Sequence, residues 1–146
     1  TNGYMVRVQN ESYSQPLHFD AVDQKVHMKH GKKKWLLCKE LPYFKTPIEE
    51  KSFVHFCERL KFGDLVKYFT KKGIQFRIVT TSPGDTLPIA AGEWHATQGL
   101  PGINCIQVNS HPKHTTKTPE LAQLDAKFKF IWPKQDHVSI HNSGLY

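Results

Sequence analysis

Apolar and polar residues alternate over Tyr4-Met5-Val6-Arg7-Val8, as in a strand with one buried face. Asn10 to Gln15 is a polar turn. Val26 and Met28 then alternate with Lys25, His27 and Lys29, and Gly31 punctuates that second strand. Trp35-Leu36-Leu37-Cys38 is apolar throughout and reads as a buried strand. After it the period changes. Thr46-Pro47-Ile48-Glu49 combines an N-cap, a first-turn proline and a capping-box glutamate. Phe53, Phe56, Cys57 and Leu60 follow at helical spacing. Asp64 is expected to cap a second helix holding Leu65, Val66 and Phe69, closed by Gly73 after Lys71 and Lys72.

Strand character returns at Gln75 to Thr80, Thr86 to Ala90 and Ile103 to Val108, with a turn at Pro83-Gly84-Asp85. Pro119 opens a short helix to about Phe128, and Phe128 to Trp132 reads as a late strand. Nothing is assigned from Pro133 onward, and no repeat or low-complexity segment occurs. Strands, a helical insertion, then more strands predict a mainly β fold, an antiparallel barrel with an insertion between its halves.

Composition narrows the class. The chain has 146 residues, 38% hydrophobic and 23% charged, which suits one folded domain. No apolar run is long enough to span a bilayer. No basic-then-apolar leader is present, so secretion is not expected. The absence of an initiator Met suggests a piece of a larger protein. Cys38, Cys57 and Cys105 are far apart and form no CxxC, so zinc is not expected. They read as buried free thiols in a reducing compartment. A net charge of +7 favours an acidic partner such as nucleic acid or chromatin, with Lys29, Lys32, Lys33 and Lys34 the densest cluster.

The chemistry starts from His18-Phe19-Asp20. On an extended segment alternate side chains share a face, so this triplet offers one imidazole and one carboxylate to the same ion. Alone it is weak, because the chain holds nine histidines. A third ligand would complete a two-histidine, one-carboxylate triad, which leaves positions open as Fe(II) oxygenases require. His95 is the candidate. It ends Gly84-Asp85-Thr86-Leu87-Pro88-Ile89-Ala90-Ala91-Gly92-Glu93-Trp94-His95, in which a turn enters an apolar strand and a glycine turn presents the histidine.

That stretch resembles the distal-histidine motif of the JmjC and cupin oxygenases. Gln15-Pro16-Leu17-His18-Phe19-Asp20 resembles the JmjC iron motif, and Gly31-Lys32-Lys33-Lys34-Trp35-Leu36-Leu37 resembles the segment that follows it. Ile103-Asn104-Cys105-Ile106-Gln107-Val108-Asn109 resembles the strand after the distal histidine. The four motifs come in the family's order and cover about residues 4–110. The resemblance implies a double-stranded β-helix, or cupin-like jelly roll, with the domain running 1–146. Its core would be about 4–40 and 74–110, its helical insertion about 46–73 and its C-terminal extension 111–146.

The resemblance also implies Fe(II) on His18, Asp20 and His95 and a 2-oxoglutarate co-substrate gripped by Lys33. Lys34 takes that role if the register slips by one. Ser14, beside Tyr13, is implied to assist at the co-substrate, and Asn109 to orient the co-substrate or the metal ligands. The implied activity is a 2-oxoglutarate-dependent dioxygenase, a nuclear lysine demethylase acting on methylated histone tails, with DNA or nucleosome bound through the basic surface. A JmjC protein hydroxylase and an inactive chromatin-binding module are the competing readings, and a cytoplasmic location is the lesser alternative. His27, His30, His55, His111, His114, His137 and His141 are not expected to be ligands. Trp35, Trp94 and Trp132 read as core or rim residues. His137-Val138-Ser139-Ile140 resembles half of a 2H-phosphoesterase motif, without a second copy.

Overall fold

The computed structural model describes residues 3–112 and 118–128. Strands β1 (Gly3–Gln9), β2 (Ser14–His18), β3 (Gln24–His30) and β4 (Lys33–Cys38) come first. Helices α1 (Pro47–Glu58) and α2 (Phe62–Lys72) follow, then β5 (Arg77–Thr81), β6 (Thr86–Ile89), β7 (Trp94–Gly99), β8 (Cys105–His111) and α3 (Pro119–Phe128). One antiparallel sheet has the order β1-β8-β3-β6, and the other β2-β7-β4-β5. Consecutive strands that alternate between two facing sheets in this way define a jelly roll, so the fold is a cupin-like double-stranded β-helix.

Three expectations need correction. The sheets face each other but do not close into a barrel, because among the described residues no hydrogen-bonded ladder joins the edge strands of one to those of the other. Asp64 does not cap α2. The N-cap is Lys61, without a side-chain bond, and Asp64 lies in the first turn, where a carboxylate suits the helix dipole. Phe128 ends α3 rather than opening a strand, and residues 129–132 lie outside the described residues, as do His114, His137 and His141. The first helix starts as its sequence predicts, with Thr46 Oγ1 accepting from the Glu49 N–H at 3.2 Å. Gly73 closes α2 in the left-handed conformation. Among the described residues no helix is long and apolar enough to cross a membrane.

Two apolar layers hold the fold. The larger lies where α1 and α2 pack on the outer face of the β2-β7-β4-β5 sheet. It joins Leu17, Leu36, Trp94 and Ala96 to Val54, Cys57, Leu65 and Phe69. The smaller fills part of the space between the sheets with Val26, Met28, Trp35, Leu37, Leu87 and Ile89. Pro88 interrupts the β6 pattern without cost because among the described residues β6 is an edge strand, paired only with β3. Gly31 is demanded by the fold: its φ is +76°, and a Cβ there would sit 2.5 Å from the Asn104 carbonyl oxygen.

The helical cover depends on Phe69, fully buried and ringed by Phe53 and Phe76 at 6.3 and 5.9 Å. Phe69→Ala should cost about 3–5 kcal/mol, read from chemical denaturation. A loss below about 1 kcal/mol would mean that α2 does not depend on this contact.

Candidate metal centre

The triad is built on the pairing of β2 with β7. Gln15 faces Thr97 and His18 faces His95, so β2 fits one more residue than β7 between those pairs. This bulge reverses the side-chain parity. Leu17 turns outward into the helix-side layer, and His18 turns into the space between the sheets. Pro16 is tolerated because β2 is an edge strand. Asp20 follows just past the strand end. Gly92, in a left-handed turn with φ of 82°, donates its N–H to the Asp20 carbonyl at 2.8 Å and ties the two ligand-bearing loops together.

Both histidines are oriented alike. His18 Nδ1 lies 2.8 Å from the Pro16 carbonyl oxygen and His95 Nδ1 lies 2.9 Å from that of Glu93. A carbonyl only accepts, so each Nδ1 carries a hydrogen and each Nε2 is turned toward the Asp20 carboxylate. Asp20 Oδ2 sits 3.3 Å from His95 Nε2 and 3.8 Å from His18 Nε2, and the ring centroids are 4.1 Å apart. One ligand atom from each of the three residues falls within 4.8 Å of the others. Burial, with the neighbouring His95, pushes the His18 pKa down to about 3, so its imidazole is neutral. Burial alone would raise Asp20, but His95, His18 and the Gln24 amide outweigh it and hold the carboxylate well below its usual range. Two imidazoles and a carboxylate thus each turn one nitrogen or oxygen into one shared space. The donor set fits a divalent transition metal bound on one face.

Lys33 points inward, as the resemblance implies, and is 1% exposed, while Lys32 and Lys34 are exposed. Its Nζ donates to Gln107 Oε1 at 2.7 Å and lies 5.1 Å from the Trp35 ring centroid. Among the described residues no carboxylate pairs with it. Burial pushes its pKa down to about 7, and Arg7 adds to the shift. Arg7 also lowers the pKa of His18 and of Tyr13, so its charge is felt at both. The Gln9 amide and the Thr97 hydroxyl are buried without hydrogen-bond partners. Thr97 lies in the row between those of His95 and Lys33.

Asn109 joins this interior: its Nδ2 donates to Gln24 Oε1 at 3.0 Å, and Gln24 Nε2 donates to Asp20 Oδ2 at 2.7 Å. Ser14 does not join it. It is exposed, and by strand alternation it faces away from Gln15 and Thr97. His27, His30, His55 and His111 lie outside the triad. The sequence reading missed Arg7, Gln9, Gln24, Thr97 and Gln107. Their one signal is position, since each is a polar residue where alternation calls for an inward side chain.

No protein-family model matches the chain, and no curated protein does. Among solved structures, a Bacillus halodurans protein aligns at TM-score 0.47 and 11% identity over 80% of this chain and 67% of that one. A domain of Drosophila melanogaster CENP-C aligns at 0.47 and 9% over 75% and 56%. Peruvianin-I, a cysteine peptidase from Thevetia peruviana latex, aligns at 0.47 and 14% over 76% and 50%. Likenesses this remote carry no weight for the site.

Lys33 has a measurable cost. Its ordinary pKa is 10.5 and its folded value about 7, so between those pH values the unfolded chain binds more protons and stability rises with pH. The penalty is full below about pH 7 and gone above about pH 10.5. Lys33→Met should therefore be more stable than wild type at pH 6, by on the order of a few kcal/mol, with the gap closing toward pH 10. A gap that does not change with pH would contradict a buried ammonium.

Proposed function

We propose that this chain is an Fe(II)- and 2-oxoglutarate-dependent dioxygenase of the JmjC type that removes methyl groups from lysine side chains of a chromatin protein. The observation that carries the reading is the convergence of His18, Asp20 and His95 inside a jelly roll that also buries an unpaired cation, Lys33. In this reading the three side chains hold iron, which supplies the activation of oxygen. Lys33 binds the far carboxylate of 2-oxoglutarate, and the resulting ion pair offsets the cost of its burial. Arg7, with the spare hydrogen-bonding capacity of Gln9 and Thr97, gives the rest of that anion a polar wall. The sheets exclude water around it.

A cleft of about 810 Å³ is lined in part by Gln24, which bonds Asp20, and by Asp23, Lys25, Arg77 and Glu93. Glu93 touches the centre through its carbonyl, which accepts from His95. Its carboxylate is 6% exposed, and Oε2 has no hydrogen bond, the Arg77 guanidinium lying 3.9 Å away. A buried carboxylate oxygen without a donor suits an incoming ammonium, and this supports an amine-bearing substrate over a neutral one. The exposed Lys29, Lys32 and Lys34, with the net charge of +7, support an acidic partner such as nucleosomal DNA and a nuclear setting. In that setting a methylated histone tail is the substrate.

With Fe(II), ascorbate, 2-oxoglutarate and a methyl-lysine histone peptide, the protein should form succinate and formaldehyde, and His95→Ala should form neither. Lys33→Ala should weaken 2-oxoglutarate about 10- to 150-fold, and Glu93→Gln should raise the KM for peptide over the same range. Succinate without formaldehyde from any methylated peptide would favour a protein hydroxylase. An iron-loaded protein that consumes no 2-oxoglutarate would be a binding module.

A further inference from the structure

Lys33 and Asp20 are joined by an unbroken run of side-chain hydrogen bonds. Lys33 Nζ donates to Gln107 Oε1 at 2.7 Å, and Gln107 Nε2 donates to Asn109 Oδ1 at 2.7 Å. Asn109 Nδ2 donates to Gln24 Oε1 at 3.0 Å, and Gln24 Nε2 donates to Asp20 Oδ2 at 2.7 Å. Gln107 and Asn109 alternate along β8, and Asn109 lies opposite Val26, two residues past Gln24 on β3. Lys33, Gln107 and Asn109 are all nine-tenths or more buried.

The direction of the run is fixed from both ends. An ammonium has no acceptor, so Gln107 must turn its carbonyl toward Lys33. An ionised carboxylate has no donor, so Gln24 must turn its amide N–H toward Asp20. Asn109 between them fits one way round only. Every amide dipole therefore points the same way, and each polarises the next. The run ends on Oδ2, the same carboxylate oxygen that faces both imidazoles.

We propose that Gln107, Asn109 and Gln24 are positioning residues that couple the anion pocket at Lys33 to the metal affinity of the triad. The proposal rests on the reading of His18, Asp20 and His95 as metal ligands. The relay holds the Asp20 carboxylate in its metal-facing rotamer. A change at Lys33, such as the arrival of a carboxylate, reaches Asp20 through three amides without touching it. By linkage, metal binding alters the affinity of the anion pocket by the same factor.

The test uses Co(II) alone, without 2-oxoglutarate, titrated into the whole chain by visible absorption. Gln24→Leu should weaken Co(II) binding about 10- to 100-fold, as loss of a ligand's hydrogen-bond partner does. Gln107→Leu, which touches no metal ligand, should weaken it about 3- to 10-fold, the worth of one hydrogen bond. Because both act through one run, the double variant should bind Co(II) no more weakly than Gln24→Leu alone. Met28→Leu, the cross-strand neighbour of Gln107, should leave it unchanged.

Losses that multiply in the double variant, or an unchanged affinity in Gln107→Leu, would overturn the relay while leaving the metal centre standing. Wild-type protein that binds no Co(II) would sink the metal reading and the coupling with it. Should the leucine variants not fold, NMR of the metal-free wild type decides instead. Slowly exchanging side-chain NH2 protons on Gln24, Gln107 and Asn109 support the relay, and fast exchange with free rotation overturns it.

Discussion

The antiparallel pairing of β2 with β7 is the constraint on which everything at the centre depends. It sets His18 opposite His95, and the extra residue in β2 between Gln15 and His18 turns that histidine inward. The same bulge sends Leu17 outward under the helices. One local irregularity thus serves two layers: it supplies a histidine to the interior and an anchor to the helix-side core. The backbone continues the work, with Pro16 and Glu93 carbonyls fixing both imidazole rings and the Gly92 N–H tying the Asp20 loop to the turn before His95.

The space between the sheets is divided. One part is an ordinary apolar core around Trp35 and Met28. The other part holds charge and amides that give the fold little or cost it stability: a buried ammonium, partnerless groups on Gln9 and Thr97, and a carboxylate among imidazoles. Each is expensive out of water. A sequence selected for stability alone would fill these positions with aliphatic residues, which is why their concentration at one site speaks for function. The larger helix-side layer offsets that cost from the far side of the sheet.

Much of this was legible in the chain. The motif resemblance put Lys33 inside, alternation set Lys34 on the opposite face, and the HxD triplet with the glycine turn before His95 named the three side chains that converge. The helix start at Thr46 and the stop at Gly73 were also plain, because capping is local chemistry. What failed was non-local. Whether the sheets close depends on edge strands distant in sequence, so the expected barrel proved to be an open pair of sheets. Ser14 was placed by motif, whereas the pairing of β2 leaves it exposed. Gln24 and Gln107 belong to no motif, and their role exists only once β3, β4 and β8 bring four polar side chains into line.

The central claim is that His18, Asp20 and His95 together hold one divalent transition metal. X-ray absorption on the Fe(II)-loaded protein under nitrogen tests it most directly. One iron per chain is expected, in a shell of nitrogen and oxygen with the multiple-scattering signature of two imidazoles, and His95→Ala should lose one of them. A sulfur ligand in that shell, or a spectrum that His95→Ala leaves unchanged, would place the metal elsewhere and contradict the account.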